Sequence, residues 1–228
     1  MTIEIKGFLE TSFVDWQGKL CSVLFLPYCN FRCPYCHNHP LIFYPERYPS
    51  FQLKDILNRL HAFKDWIDGV CITGGEPTLH SDLPFLIREI KQGGFLVKLD
   101  TNGSNPLMLE KLIEAEEIDF VSMDVKASLD PFSYRRSTGL SIDLTPILRS
   151  IEILKQGKVD YQFRMTVVPG LHRKEDIQKL GNQLRAGSRL VLQNFNPENP
   201  LDPSLKKTSP YDPETLKEME RDIQGKIT

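Results

Sequence analysis

The chain has no long hydrophobic run, no excess of either charge and no even set of cysteines, and each absence excludes a class of protein. Its longest apolar stretch, Leu20 to Pro27, falls far short of the ~20 residues that span a bilayer. Met1 to Glu10 show no basic segment leading into an apolar one, so the expectation is a cytoplasmic protein with no membrane partner. Lysine and arginine number 28 against 30 aspartate and glutamate, a formal net charge of -2. That balance gives no sequence-independent pull toward phosphate backbones, and nucleic acid is not an expected partner. Five cysteines leave one unpaired in any disulfide framework, and three of them, Cys29, Cys33 and Cys36, crowd into one short stretch. In a reducing compartment such clustered thiols more often hold a metal. Internal repeats, low-complexity tracts and linkers are missing as well. Residues 1–228 therefore read as one domain, with a core over about 20–193 and an irregular C-terminal segment over 194–228.

What the sequence does hold is alternation. Six short apolar strands, Cys21 to Leu26, Gly69 to Thr73, Phe95 to Leu99, Ile118 to Asp124, Tyr161 to Val168 and Arg189 to Gln193, alternate with amphipathic stretches. The helices are expected at Leu53 to Phe63, Asp82 to Lys91, Pro106 to Ala115, Leu144 to Lys155, Lys174 to Leu184 and Pro213 to Ile223. Continuously apolar strands alternating with helices predict an α/β fold with a parallel sheet covered by helices. Six βα units fit either an open doubly wound sheet or a partial barrel. In both, ligands collect at the carboxyl ends of the strands.

The residues after each strand therefore carry the functional reading. The first strand leads into Cys29-Asn-Phe-Arg-Cys33-Pro-Tyr35-Cys36-His37-Asn38, a C-x3-C-x2-C triplet. Three close thiolates suit a soft metal centre, an iron-sulfur cluster among them. On a four-iron cubane they leave one iron without a protein ligand, and an open iron can bind substrate. Rival readings are a structural zinc completed by His37 or His39, a haem attached through Cys33-Pro-Tyr-Cys36-His37, and a redox dithiol of Cys33 and Cys36. Cys21 and Cys71 lie within predicted strands and are expected in the core.

The second strand runs into Gly74-Gly75-Glu76-Pro77, where paired glycines allow a close backbone approach and proline stiffens the turn. The third ends at Asp100-Thr101-Asn102-Gly103 and the fourth at Asp124-Val125-Lys126. The fifth contains Arg164, which is costly to bury in an apolar strand unless paired; it is expected to point at an anionic ligand. The sixth ends at Gln193 and Asn194.

Taken together, the cysteine triplet with aromatic Tyr35 before its last member and the Gly-Gly-Glu-Pro turn resemble the radical S-adenosylmethionine (SAM) superfamily. The Cys36-His37-Asn38 ending and Ser12-Phe-Val-Asp15-Trp-Gln-Gly18 resemble its glycyl-radical-enzyme activating enzymes, the anaerobic ribonucleoside-triphosphate reductase activases in particular. The resemblance implies a partial (βα)6 barrel and a [4Fe-4S] cluster on Cys29, Cys33 and Cys36. It also implies SAM contacts from Tyr35, His37, Gly74, Gly75, Glu76, Asn102, Asp124, Lys126 and Arg164, and a monovalent cation held by Asp100, Thr101 and Asp124; at the sixth strand the chain departs from the pattern, with Gln193 or Asn194 as the hydrogen-bonding residue where those activating enzymes offer a histidine. The implied chemistry is reductive cleavage of SAM and hydrogen abstraction from a glycine of a partner enzyme. The electron donor would be a flavodoxin- or ferredoxin-type protein. Rival functions are a 7-carboxy-7-deazaguanine synthase, where a small hydroxyl residue would stand in place of His37, and a non-catalytic iron-sulfur electron carrier.

Overall fold

The computed structural model describes residues 3–184 and 189–224. Its seven strands are β1 (Gly7–Ser12), β2 (Cys21–Leu26), β3 (Gly69–Gly74), β4 (Leu96–Thr101), β5 (Phe120–Asp124), β6 (Asp160–Val167) and β7 (Leu190–Asn194). The eight α-helices are α1 (His39–Phe43), α2 (Leu53–Ala62), α3 (Leu83–Gln92), α4 (Pro106–Glu114), α5 (Pro131–Thr138), α6 (Thr145–Lys155), α7 (Lys174–Leu184) and α8 (Pro213–Gln224).

The strands form one sheet in sequential order, β1 to β7, parallel from β2 onward. That order decides between the two architectures the sequence left open. A doubly wound sheet reverses its direction of growth at a switch point. Here growth never reverses, so right-handed crossovers put successive helices on one face and the sheet curls toward a barrel. The ladder runs from β1 at one edge to β7 at the other, which makes the barrel partial.

Two parts of the expectation need correcting. The sheet core begins before residue 20, because β1 pairs antiparallel with β2 and adds a seventh strand. It escaped notice because it is a polar edge strand, largely exposed, with no alternation to betray it. The C-terminal segment over 194–228 is also not irregular throughout, since it contains a short 3-10 turn at Pro203–Lys207 as well as the expected closing helix α8.

The outer face of the sheet carries the main core. Helix α3 illustrates the packing: Leu83, Leu86, Ile87 and Ile90 recur at helical spacing and are fully buried. Pro106 opens α4 behind Asn105, whose side chain accepts from Met108 N. Inside the barrel a smaller cluster of Trp16, Cys21, Val23 and Cys71, with Phe25, Leu96 and Phe120 against it, forms the floor. Trp16 enters from the β1–β2 connection and packs on Phe120, ring centroids 6.1 Å apart. An apolar floor beneath a polar mouth leaves the carboxyl ends of the strands as the place for a ligand.

Candidate functional site

Strand β2 ends at Leu26, and two residues later Tyr28 takes a left-handed backbone conformation, φ 63°. Such a conformation is uncommon outside glycine and costs free energy, so something must hold it. The hold is the Gly-Gly turn: Gly75 N donates to Leu26 O (2.8 Å) and Glu76 N to Tyr28 O (2.7 Å). A Cβ at Gly75 would lie 1.8 Å from Tyr28 O, and Gly74 sits at φ +114° against Leu26. The glycines are needed for the approach of the chain to itself, before any ligand is considered. Beyond this clamp, Phe31 N donates to Cys29 Sγ (3.4 Å), Cys36 N to Cys33 O (3.0 Å), and Arg32 N to Thr138 O on α5 (2.8 Å). Asn38 Nδ2 ties the end of the loop to Gly74 O (2.7 Å), and the His37 ring meets Asn196 O at 2.6 Å.

Burial pushes the thiols of Cys29, Cys33 and Cys36 each up to about 11. A redox dithiol needs a depressed value instead, and the α-helix that follows the triplet, α1, begins only at His39. Among the described residues no three His, Cys, Asp or Glu side chains converge on a single ion. A cubane takes each thiolate on a different iron and needs no such convergence, so three thiols on one cavity wall fit a cluster. Haem ligation by His37 is disfavoured too, since its ring is bound to the backbone at Asn196.

Glu76 is buried and its carboxylate is taken up by the protein. It accepts from Thr78 N, Thr78 Oγ1 and Thr101 Oγ1 on one oxygen and from Asn102 N on the other. Burial raises its pKa despite these donors. The residue fastens the end of β3 to the end of β4 and so places Asn102, whose side chain reaches Asn30 Oδ1 (2.9 Å) and Cys29 Sγ (3.8 Å).

Alternation along β4, β5 and β6 brings a file of charges to the inner face. Lys98 Nζ contacts Asp100 Oδ1; Asp100 Oδ2 lies 3.1 Å from Arg164 Nη1. Arg164 Nε donates to Asp124 Oδ1 (2.6 Å), and Lys126 Nζ to Asp124 Oδ2 (2.9 Å). Burial alone would raise the Asp124 carboxyl, but Arg164 and Lys126 outweigh it and hold it well below the usual carboxylate range. Lys126 and Arg164 are shifted upward because their carboxylate partners likewise outweigh burial. The anion expected for Arg164 is thus, in this structure, a pair of the chain's own carboxylates. The file thus pairs three cations with two aspartates.

The cysteine loop and the charge file face each other across a cavity of about 480 Å³. Every residue singled out from the sequence lines it: Cys29, Cys33, Tyr35, Cys36, His37, Gly74, Gly75, Glu76, Asp100, Asn102, Asp124, Lys126, Arg164 and Gln193. Sequence reasoning missed Lys98, which lies behind Asp100, and helix α5. The last supplies Tyr134, whose buried hydroxyl accepts from Lys126 N (3.2 Å). Asp130, capping Ser133 N ahead of Pro131, and left-handed Gly139 were the signals of that helix. The Tyr35 hydroxyl, buried at the cavity wall, has no hydrogen-bond partner among the described residues. Lys126 and Arg164 on the cavity wall and an orphaned hydroxyl fit a ligand that carries a carboxylate and polar groups. The monovalent cation fits less well, because both oxygens of Asp100 and of Asp124 are engaged by Lys98, Arg164 and Lys126, and Thr101 Oγ1 is committed to Glu76.

Residues 23–181 match the model of the radical SAM superfamily. A Methanocaldococcus jannaschii protein carrying the provisional name glycyl-radical enzyme activating enzyme is 35% identical over 207 residues, covering 89% of this chain and 84% of that one. The pyruvate formate-lyase-activating enzyme of Staphylococcus aureus is 30% identical over 194 residues, 78% of this chain and 75% of that one. Among solved structures, a radical SAM methyltransferase from Sphaerobacter thermophilus superposes with a TM-score of 0.70 at 12% identity, over 94% of this chain. The present chain spans 65% of that methyltransferase, and the likeness extends to the fold alone. With its cysteine loop, glycine clamp and partial barrel in the matched region, the chain is an enzyme of the radical SAM superfamily.

Proposed function

We propose that this chain activates a glycyl-radical enzyme, the anaerobic ribonucleoside-triphosphate reductase, using a [4Fe-4S] cluster on Cys29, Cys33 and Cys36 and SAM in the adjoining cavity. The observation that carries the reading is one cavity walled by three clustered thiols on one side and by Lys126, Arg164 and their paired aspartates on the other. The names of its relatives support the same direction. When bound, the cluster supplies the electron that splits SAM, and the radical released takes a hydrogen atom from a glycine of the partner. A flavodoxin- or ferredoxin-type protein is the donor of that electron.

The work of the chain itself is positioning and exclusion of water. Lys126 and Arg164, poised on Asp124, provide the positive charge that receives the carboxylate of SAM. Gly74 and Gly75 bring backbone to its amino end. Tyr35 offers an unsatisfied hydroxyl, and Gln193, exposed at the end of β7, stands as the hydrogen-bonding group on the opposite wall. Glu76 and Asn102 act through placement, holding the cysteine loop against the end of β4.

The test is anoxic incubation of reconstituted protein with SAM, a reductant and the reductase. Electron paramagnetic resonance is expected to show a glycyl doublet on the reductase, with 5'-deoxyadenosine released. Turnover supported only by a small molecule would refute the activase reading.

A further inference from the structure

Lys98 has no part in the function as proposed, yet it is 1% exposed and is among the largest fully buried side chains. It stands on the inner face of β4 above the apolar floor, two residues before Asp100, with Cys71 Sγ 3.5 Å from its Nζ. An aliphatic side chain would suit that floor better, since a buried ammonium is costly unless an anion compensates it. The compensation comes from Asp100 Oδ1. Lys98 is thus the first member of an alternating file, Lys98, Asp100, Arg164, Asp124, Lys126, in which no carboxylate oxygen is left without a cationic partner.

We propose that Lys98, buried behind Asp100 of the SAM cavity wall, is a resident cation that takes the place of the monovalent metal ion at Asp100 and Asp124, so that SAM binding by this protein is independent of monovalent cations. The inference rests on the SAM reading above and deepens it. An ion placed between the two aspartates would have to displace Lys98 or Arg164 from oxygens they already occupy. Thr101 Oγ1 is no freer, because it donates to Glu76 Oε1 (2.6 Å) and accepts from Gly103 N (3.1 Å). With Lys98 fixed at the inner end of the file, Asp100 is held on Arg164, and Arg164 in turn on Asp124. Lys98 is therefore a positioning residue.

The experiment measures SAM affinity of the reconstituted holoenzyme by anoxic equilibrium dialysis in sodium, potassium and tetramethylammonium chloride at one ionic strength. Melting temperatures are recorded in the same salts. The wild type is expected to bind SAM equally in all three. Lys98→Met is expected to bind about tenfold more weakly in tetramethylammonium, the effect of one lost charge-assisted contact, and to recover in sodium or potassium. Its melting temperature should rise selectively with the small cations, while that of the wild type should not. Lys98→Arg keeps the charge and should behave as the wild type. SAM binding or a melting temperature of the wild type that requires sodium or potassium would overturn the proposal, as would a Lys98→Met variant with unaltered affinity; the wild-type arms decide even if Lys98→Met fails to fold. Absence of SAM binding in every salt would instead sink the underlying reading, and the melting series would still report on Lys98.

Discussion

The two faces of strands β4 to β6 are built from neighbouring residues and have opposite characters. Val121, Met123 and Val125 face the helices, and Phe163 and Met165 do the same from β6, all of them buried in the main core. Ser122, Asp124 and Lys126, with Gln162 and Arg164, face inward and spend their polar atoms on one another. One face supplies the stabilisation from apolar burial; the other accepts the cost of buried charge in return for a shaped, polar cavity. The period of two in a strand lets both be encoded at once, and a shift of one residue in register would exchange them.

That division can be broken experimentally. The largest effect belongs to the cysteine loop: Cys29→Ala, Cys33→Ala and Cys36→Ala are each expected to lose cluster iron and SAM cleavage outright. Cys21→Ala, on the floor, keeps its iron. Iron analysis and 5'-deoxyadenosine release check this, and full cleavage by any of the three would remove that residue from the ligand set. Next, Phe163→Ala on the outer face should cost about 3–5 kcal/mol in denaturant unfolding while the folded fraction binds SAM normally; lost affinity without lost stability would contradict the division.

His172 tests the seam between the faces. Its Nδ1 accepts from Val168 N (3.1 Å), its Nε2 meets Ser137 Oγ (2.9 Å), and its ring packs edge-on to Tyr35. Burial lowers its pKa from 6.5 to about 4. Between those values the unfolded chain binds the proton and the native chain does not, so stability rises with pH there and is lost on acidification. The shift corresponds to roughly 3 kcal/mol, present in full above pH 6.5 and gone below pH 4. Urea midpoints across that window should fall in the wild type and flatten in His172→Gln; parallel curves would assign the acid sensitivity elsewhere. The smallest effect is expected for Lys126→Ala, which should retain cluster and weaken SAM about tenfold, the ~1.5 kcal/mol of one charge-assisted hydrogen bond. Unchanged affinity would leave Lys126 as a partner of Asp124 alone.

The strands and the mouth of the barrel were legible because both rest on local pattern. Strand β2 and helix α7 run over the residues that periodicity assigns them, and the chemistry-bearing residues follow the strand ends. What stayed hidden depends on partners distant in sequence. Glu76 looks like a ligand-facing carboxylate until Thr101 and Asn102 are seen to consume it. The argument that flagged Arg164, a cation inside an apolar strand, applies equally to Lys98, and Lys98 was overlooked because its strand was read as uniformly apolar. Helix α5 is mostly polar, so hydrophobic periodicity passes over it, although its capping residues mark both ends.

That overlooked helix sets a tolerance for the whole centre. Its C-terminal carbonyl at Thr138 receives Arg32 N between the first two cysteines, and four residues earlier the Tyr134 hydroxyl receives Lys126 N. One helix thus tethers the cysteine loop and the charged wall opposite it, so a substitution that shifts that helix is expected to disturb both sides of the cavity at once.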